Sequence, residues 1–154
     1  MPLTTSILKL SDDITVVLYH QASRVQEEME KHFEGINYVI QDHANYPGTG
    51  GAVMGITPKY EQTLVLNGDM PLIQSEELKK FDIDATIVMS VLELESADGY
   101  GRVIVENGAV KKIVEQKDAS ADQLKITEIN TGIMAANGKL LKRWLANLSN
   151  DNAQ

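Results

Sequence analysis

Asn67, Gly68 and Asp69 close an apolar run, LVLNGDMPLI over residues 64–73, and Pro71 turns the chain directly afterwards. Open α/β sheets keep ligands and metals at the carboxyl ends of buried strands. A hard divalent cation such as Mg²⁺ takes one or two carboxylates and otherwise water and phosphate oxygens, so a lone strand-end aspartate suits a metal-nucleotide site. The alternative is an Asx turn in which Asp69 caps its own backbone. A second candidate, Gly48-Thr49-Gly50-Gly51, follows the strand YVIQ at residues 38–41 and precedes AVMGI, an expected helix. Bare backbone N–H groups there would admit a planar base or an oxyanion. An ordinary tight turn capped by Thr49 accounts for the same residues equally well, and the spacing is neither a Walker A loop nor G-x-G-x-x-G. A third segment, GYGRVIVENGAVKKIVE over residues 99–115, sets a Gly-Tyr-Gly before one strand and Glu115 at the end of another. A carboxylate and a glycine backbone group meet sugar hydroxyls well, being small and rigid; otherwise Glu115 is one more solvated charge, as Glu106 is. Asn130, ahead of Thr131 and Gly132, offers an amide that donates and accepts, though alone it reads as a turn or strand-edge residue.

Composition narrows the classes these residues can serve. The chain has 154 residues, 43% hydrophobic and 23% charged, enough for one core of ordinary domain size. With 22 acidic against 14 basic residues the formal charge is -8, which excludes the basic stripe of a nucleic-acid surface. An anionic ligand must then be held locally. There is no cysteine, so disulfides and thiolate metal sites are excluded. The start MPLTTSILKLSDD has no basic n-region or long apolar run, and no stretch approaches the roughly 20 residues of a membrane helix. The expectation is a soluble cytoplasmic protein with no nucleic-acid or membrane partner. His20, His32 and His43 lack zinc spacing and read as surface or packing residues. Met70, Met89, Met134 and Trp144 read as core.

Alternating elements must position the candidates. Residues 14–19 (ITVVLY) form an interior parallel strand by pattern. Residues 23–33 form an amphipathic helix, with a Ser23 cap, Glu27 facing Lys31 and Gly35 as its stop. Strands are expected at 38–41, 63–66 and 86–93, with a serine-capped helix at 75–81. Asn107-Gly108 between 103–105 and 109–114 predicts a hairpin. An apolar strand at 129–136 then leads into a helix at 138–148 carrying Leu140, Leu141, Trp144, Leu145 and Leu148 on one face. No internal repeat or low-complexity segment is present.

Taken together, YVIQ, GTGGAV, LVLNGDMPLI, GYGRVIVENGAVKKIVEQKDAS and EINTGIMAANGKLLKRWLANLSNDNAQ, in this order, closely resemble the uridyltransferase domain of the bacterial bifunctional N-acetylglucosamine-1-phosphate uridyltransferase/glucosamine-1-phosphate acetyltransferase family. The resemblance covers about residues 11–154, whereas residues 1–6 match no segment of the family. It implies an α/β fold with the Rossmann-like mixed sheet of the nucleotide-diphospho-sugar transferases. It implies formation of UDP-N-acetylglucosamine and pyrophosphate from UTP and N-acetylglucosamine 1-phosphate, with Mg²⁺. By the same resemblance Gln41, Gly48 and Thr49 meet the uracil end. Asn67, Gly68 and Asp69 meet ribose and metal, Asn67 standing where relatives often have tyrosine and Asp69 being one of two Mg²⁺ ligands. Gly101, Glu115, Asn130 and Thr131 bind the N-acetylglucosamine part. The stretch from Gln41 to Gly48 is longer than in some relatives. The family's glycine-rich Arg-Met loop, its second metal-binding asparagine and its β-helix acetyltransferase domain, through which full-length relatives form homotrimers, have no counterpart in this sequence. The chain therefore reads as a partial uridyltransferase domain over residues 1–154, expected to turn over poorly by itself because the cationic loop that neutralises the triphosphate is missing. Two alternatives remain: another sugar-1-phosphate nucleotidyltransferase, or a catalytically idle nucleotide-sugar-binding module of this fold.

Overall fold

The structure is a computed structural model that describes residues 2–81 and 86–148. The polar tail Asn150–Gln154 lies outside them. The chain divides into two compact units, one made of residues 1–63, 68–86 and 136–154, the other of residues 64–67 and 87–135.

In the first unit, helix α1 (Pro2–Ile7) precedes strand β1 (Ile14–Leu18), helix α2 (Ala22–Glu30) and strand β2 (Ile36–Ile40). Helix α1 was not expected from the pattern; Pro2 suits it because a first-turn residue has no helical N–H bond to lose. β1 and β2 run parallel from Ile14↔Ile36 to Leu18↔Ile40, with α2 as the crossover. β1 is parallel as expected but not interior, since β2 is its strand partner in a two-stranded sheet among the described residues. The Gln21 carbonyl accepts the Val25 N–H, so α2 starts before Ser23 and the serine is no cap. Lys31 pairs with Glu28 at 2.7 Å rather than with Glu27. The glycine cluster is itself the short helix α3 (Gly48–Ala52) rather than the turn before one. Residues 53–56 only add tight turns, Met54 N–H to Gly51 O and Ile56 N–H to Val53 O, before Gly55 at φ 81° stops them. Strand β3 (Gln62–Val65) begins in this unit, and helix α4 (Ser75–Leu78) is shorter than expected, with Gln74 at its N-cap and the Ser75 hydroxyl turned to Glu76.

Helix α5 (Gly138–Leu145) completes the first unit. Asn137 caps it, its Oδ1 accepting the N–H of Lys139 at 3.1 Å and of Leu140 at 3.3 Å. Gly138, Leu141 and Leu145 are buried along one side of the helix, whereas Trp144 and Leu148 are more than one-third exposed. The apolar stripe is narrower than the five-residue face read from the sequence. The helix ends at Leu145, which leaves Leu148 beyond the last turn, and Trp144 flanks the buried line. Replacing Leu141 with alanine is expected to cost about 3 kcal/mol of unfolding free energy through lost burial and the cavity left behind. Leu148→Ala should change the same urea midpoint by less than about 1 kcal/mol.

The second unit contains strands β4 (Ile87–Glu93), β5 (Arg102–Glu106) and β6 (Ala109–Val114) and most of β7 (Glu128–Asn137). The five-stranded sheet runs β3-β7-β5-β6, with β4 also on β7. The β5–β6 hairpin turns on Asn107 at φ 52° and Gly108 at φ 76°, the left-handed pair that an Asn-Gly sequence favours. Val103, Val114, Ile129, Ile133 and Ala135 form the core. Two 3₁₀ turns, Gln116–Asp118 and Gln123–Lys125, link β6 to β7.

Candidate functional site

Register in the second unit gathers three of the candidates at one level of the sheet. Antiparallel pairing sets Arg102 opposite Val114 on β6 and opposite Ile129 on β7. One step outward on each strand brings Glu115 and Asn130 to either side of Gly101, and the Asn130 N–H donates to Gly101 O at 3.3 Å. A Cβ on Gly101 would stand 3.3 Å from Glu115 Oε1 and 3.0 Å from the Ile113 side chain, so the carboxylate lies over the bare face of the glycine. Glu115 is exposed, and among the described residues nothing hydrogen-bonds or pairs with its carboxylate. Asn130 Oδ1 accepts the Gly132 N–H at 3.0 Å, which leaves its Nδ2 to donate elsewhere. The result is a small polar cluster with a carboxylate acceptor, an amide donor and a glycine backbone between them.

The other two candidates of this unit are held by its own framework. The Thr131 hydroxyl donates to Ser90 O at 3.1 Å and accepts the Ile133 N–H at 3.3 Å, tying β4 to β7. Asn67 Nδ2 donates to Thr131 O at 3.4 Å, and its amide packs against Gly132, which has φ 79°. Asn67 therefore belongs with Thr131, while Gly68 and Asp69 belong to the first unit.

Within the first unit Gln41 extends β2, its N–H bonded to Leu18 O at 2.8 Å. Its Nε2 donates to Tyr46 O and to Gly48 O, each at 3.1 Å, so the loop between them closes on this one side chain and Gln41 meets Gly48 across seven residues. Both amide hydrogens are used, and Oε1 remains an acceptor. Thr49 is exposed in α3. Asp69 is exposed in the turn after β3, and among the described residues its carboxylate has no hydrogen bond or ion pair. The Asx-turn alternative is thus not formed. No three His, Cys, Asp or Glu side chains gather to hold a metal among the described residues. A single free aspartate matches a cation that keeps most of its water and phosphate ligands, and does not match a closed all-protein cage.

Residues that pattern reading passed over lie beside these. Tyr19, just past β1, stacks on His43 with ring centroids 4.4 Å apart. His20 and His32 bond to Gln21 and Glu28, and among the described residues neither joins a metal-holding cluster. Arg102 is 1% exposed, and its Nη1 donates to Tyr100 O at 2.5 Å and to Gln116 Oε1 at 3.1 Å. Its one signal in the sequence is a charge standing directly before the apolar run VIV. Titration shifts fall elsewhere: Asp12 is held low by the Tyr60 hydroxyl and then by Lys59, and burial pushes the Tyr38 phenol up.

Comparison with known proteins follows from this geometry. No protein-family profile matches the chain. Over 147 residues, 96% of its length, the chain is 74% identical to "Bifunctional protein GlmU" of Aliarcobacter butzleri (strain RM4018). By sequence, the chain matches a segment of GlmU. The GlmU of Wolinella succinogenes is 54% identical over 95% of the chain. In both cases the chain spans about a third of the relative, 34% of its length. Among solved structures, HddC from Yersinia pseudotuberculosis superposes with a TM-score of 0.68 at 18% identity, over 92% of this chain and 63% of that one. A UDP-glucose pyrophosphorylase complexed with UDP-glucose gives a TM-score of 0.55 at 13% identity, over 89% and 62%. These identities speak for the fold alone, and the chain has a mixed α/β fold like theirs.

Proposed function

We propose that the chain forms the greater part of the nucleotide-sugar site of a cytoplasmic uridyltransferase that makes UDP-N-acetylglucosamine and pyrophosphate from UTP and N-acetylglucosamine 1-phosphate. The observation that carries the proposal is the meeting of Gly101, Glu115 and Asn130 at one level of β5, β6 and β7. Glu115 accepts hydrogen bonds from sugar hydroxyls, the Gly101 backbone lets the ring approach, and Asn130 Nδ2 donates to a sugar oxygen, with Thr131 holding that strand in place. Asn67, bonded to Thr131, supports the same end and borders the ribose. At the base, Gln41 Oε1 accepts the single N–H of uracil, with Gly48 and Thr49 beside it. Gln41's own N–H groups are already committed, which disfavours a base needing a donor there.

The reaction is an in-line attack by the sugar-phosphate oxygen on the α-phosphorus, with pyrophosphate leaving. Positioning and charge neutralisation supply most of the catalysis in such displacements, so no side-chain nucleophile is required. Asp69, with Gly68 beside it, would hold Mg²⁺, which when bound neutralises charge on the phosphate oxygens. What the chain's own residues contribute is binding of the base in the first unit and of the sugar in the second.

Binding, unlike turnover, is read on this chain as it stands. Calorimetric titration in magnesium buffer should rank UDP-N-acetylglucosamine above UDP-glucose, and both above ADP-glucose, by about tenfold per step, the size of one well-placed hydrogen bond gained or lost. Tighter binding of another base or sugar would favour a different sugar-1-phosphate nucleotidyltransferase, and absence of all binding would overturn the proposal and the idle nucleotide-sugar-binding module alike.

A further inference from the structure

Arg102 is an expensive residue to place where it is. Burying a guanidinium costs free energy unless it is well paired, and a well-packed apolar side chain of similar volume is often as stable or more so. The nearest carboxylate oxygen, Asp98 Oδ1, is 3.9 Å from Nη2 on a side chain that is 86% exposed, and the buried Nε has no hydrogen-bond partner among the described residues. Stability is therefore a poor account of this arginine.

Its contacts suggest another. Nη1 is shared between Tyr100 O, the carbonyl of the peptide that leads into Gly101, and the side chain of Gln116, the residue after Glu115. Gln116 Oε1 also accepts the Gly99 N–H. One buried donor and one amide oxygen thus tie the chain on both sides of Gly101 to the residue that follows Glu115. Two of the three members of the sugar-facing cluster are bracketed by this clamp, and the third is bonded to Gly101 O.

We infer that Arg102, acting through Gln116 and the Tyr100 carbonyl, is a positioning residue that sets Glu115 against Gly101 for recognition of the amino-sugar end of a nucleotide sugar. The inference rests on the functional reading above and adds to it two residues that need touch no ligand. Both bonds leave the same nitrogen, Nη1, so a lysine ammonium, which carries three donors on a shorter stem, replaces them in part.

The test compares binding of UDP-N-acetylglucosamine with binding of UDP in four variants. Arg102→Met keeps the buried volume and should melt within about 5 °C of the wild type, as apolar replacements of buried charges often do. It should weaken UDP-N-acetylglucosamine about tenfold while leaving UDP unchanged, because only the sugar contacts lose their alignment. Arg102→Lys, which keeps a donor nitrogen, should fall between the wild type and Arg102→Met. Gln116 is exposed, so Gln116→Leu tests the clamp without risk to the core and should lose in the same direction, whereas Gln116→Glu, still an acceptor for both donors, should bind as the wild type does. A wild-type preference for the sugar nucleotide that survives in Arg102→Met and Gln116→Leu overturns the positioning role alone. So does a parallel loss for both ligands, which marks a merely structural residue. A wild type that binds UDP and UDP-N-acetylglucosamine alike overturns the functional reading and the positioning role with it.

Discussion

Replacing Glu115 with alanine is expected to weaken UDP-N-acetylglucosamine binding about a hundredfold, the loss of two hydrogen bonds to a charged acceptor at roughly 1.5 kcal/mol each. Affinity for UDP should stay as it was. The argument is local: the carboxylate lies over the bare face of Gly101, exposed and with no partner among the described residues, so its removal leaves no orphaned group behind. The melting temperature should accordingly stay within about 3 °C of the wild type, since surface substitutions without partners are usually near neutral. Glu115→Gln keeps the shape and one acceptor and should fall between the two. Calorimetric titration with both ligands checks all of this, and an alanine variant that binds the sugar nucleotide as tightly as the wild type would remove the functional reading's main support.

The second large effect concerns the loop that Gln41 closes. A Cβ at Gly51 would collide with the Tyr46 carbonyl, lying against its oxygen, 2.5 Å from its carbon and 2.9 Å from Tyr46 Cβ. That carbonyl also accepts from Gln41 Nε2, and the Tyr46 N–H is bonded to Asp42 O at 2.8 Å. Backbone cannot yield here as a side-chain tip would, so Gly51→Ala is expected to cost about 3 kcal/mol, the range of overpacking with backbone displacement. Its neighbour provides the control. A Cβ at Gly50 meets only the Leu148 methyl groups at 3.5 and 3.6 Å, an ordinary contact, and Gly50→Ala should be neutral or gain up to about 1 kcal/mol from helix propensity. Urea midpoints decide the comparison: equal midpoints would show that the Tyr46 loop is not packed on α3 as described. Because Gln41 loses its anchor with Tyr46, Gly51→Ala should also weaken UDP binding, which Glu115→Ala should not.

The order and type of the main elements follow from local signals that survive without tertiary context. β-branched runs at residues 14–18 and 102–106, the Asn107-Gly108 turn and the leucine spacing of residues 138–145 each state a period or a dihedral preference within a few residues. Local signals misled where a neighbouring backbone hydrogen bond competed. Ser23 lost the helix start to the Gln21 carbonyl, and the glycine cluster became the helix because its neighbours formed only tight turns.

What the sequence by itself determined was the set of chemically able residues and the strands that carry them. Only the tertiary structure decided which of those residues meet. Gly101, Glu115 and Asn130 are separated along the chain and come level because β5 pairs with β6 and β7 in one register; a slip of a single residue would turn Glu115 to the opposite face. Asn67 falls in with Thr131 and not with its neighbour Asp69, and the division between the two units passes through β3 and β7, where no linker composition could mark it. The burial of Arg102 is of the same kind, because a charge next to an apolar run states no direction until the fold encloses it. Periodicity and turn chemistry act over a few residues, whereas register and burial depend on partners far away in the chain, and it is those partners that bring the candidate sugar-binding residues together.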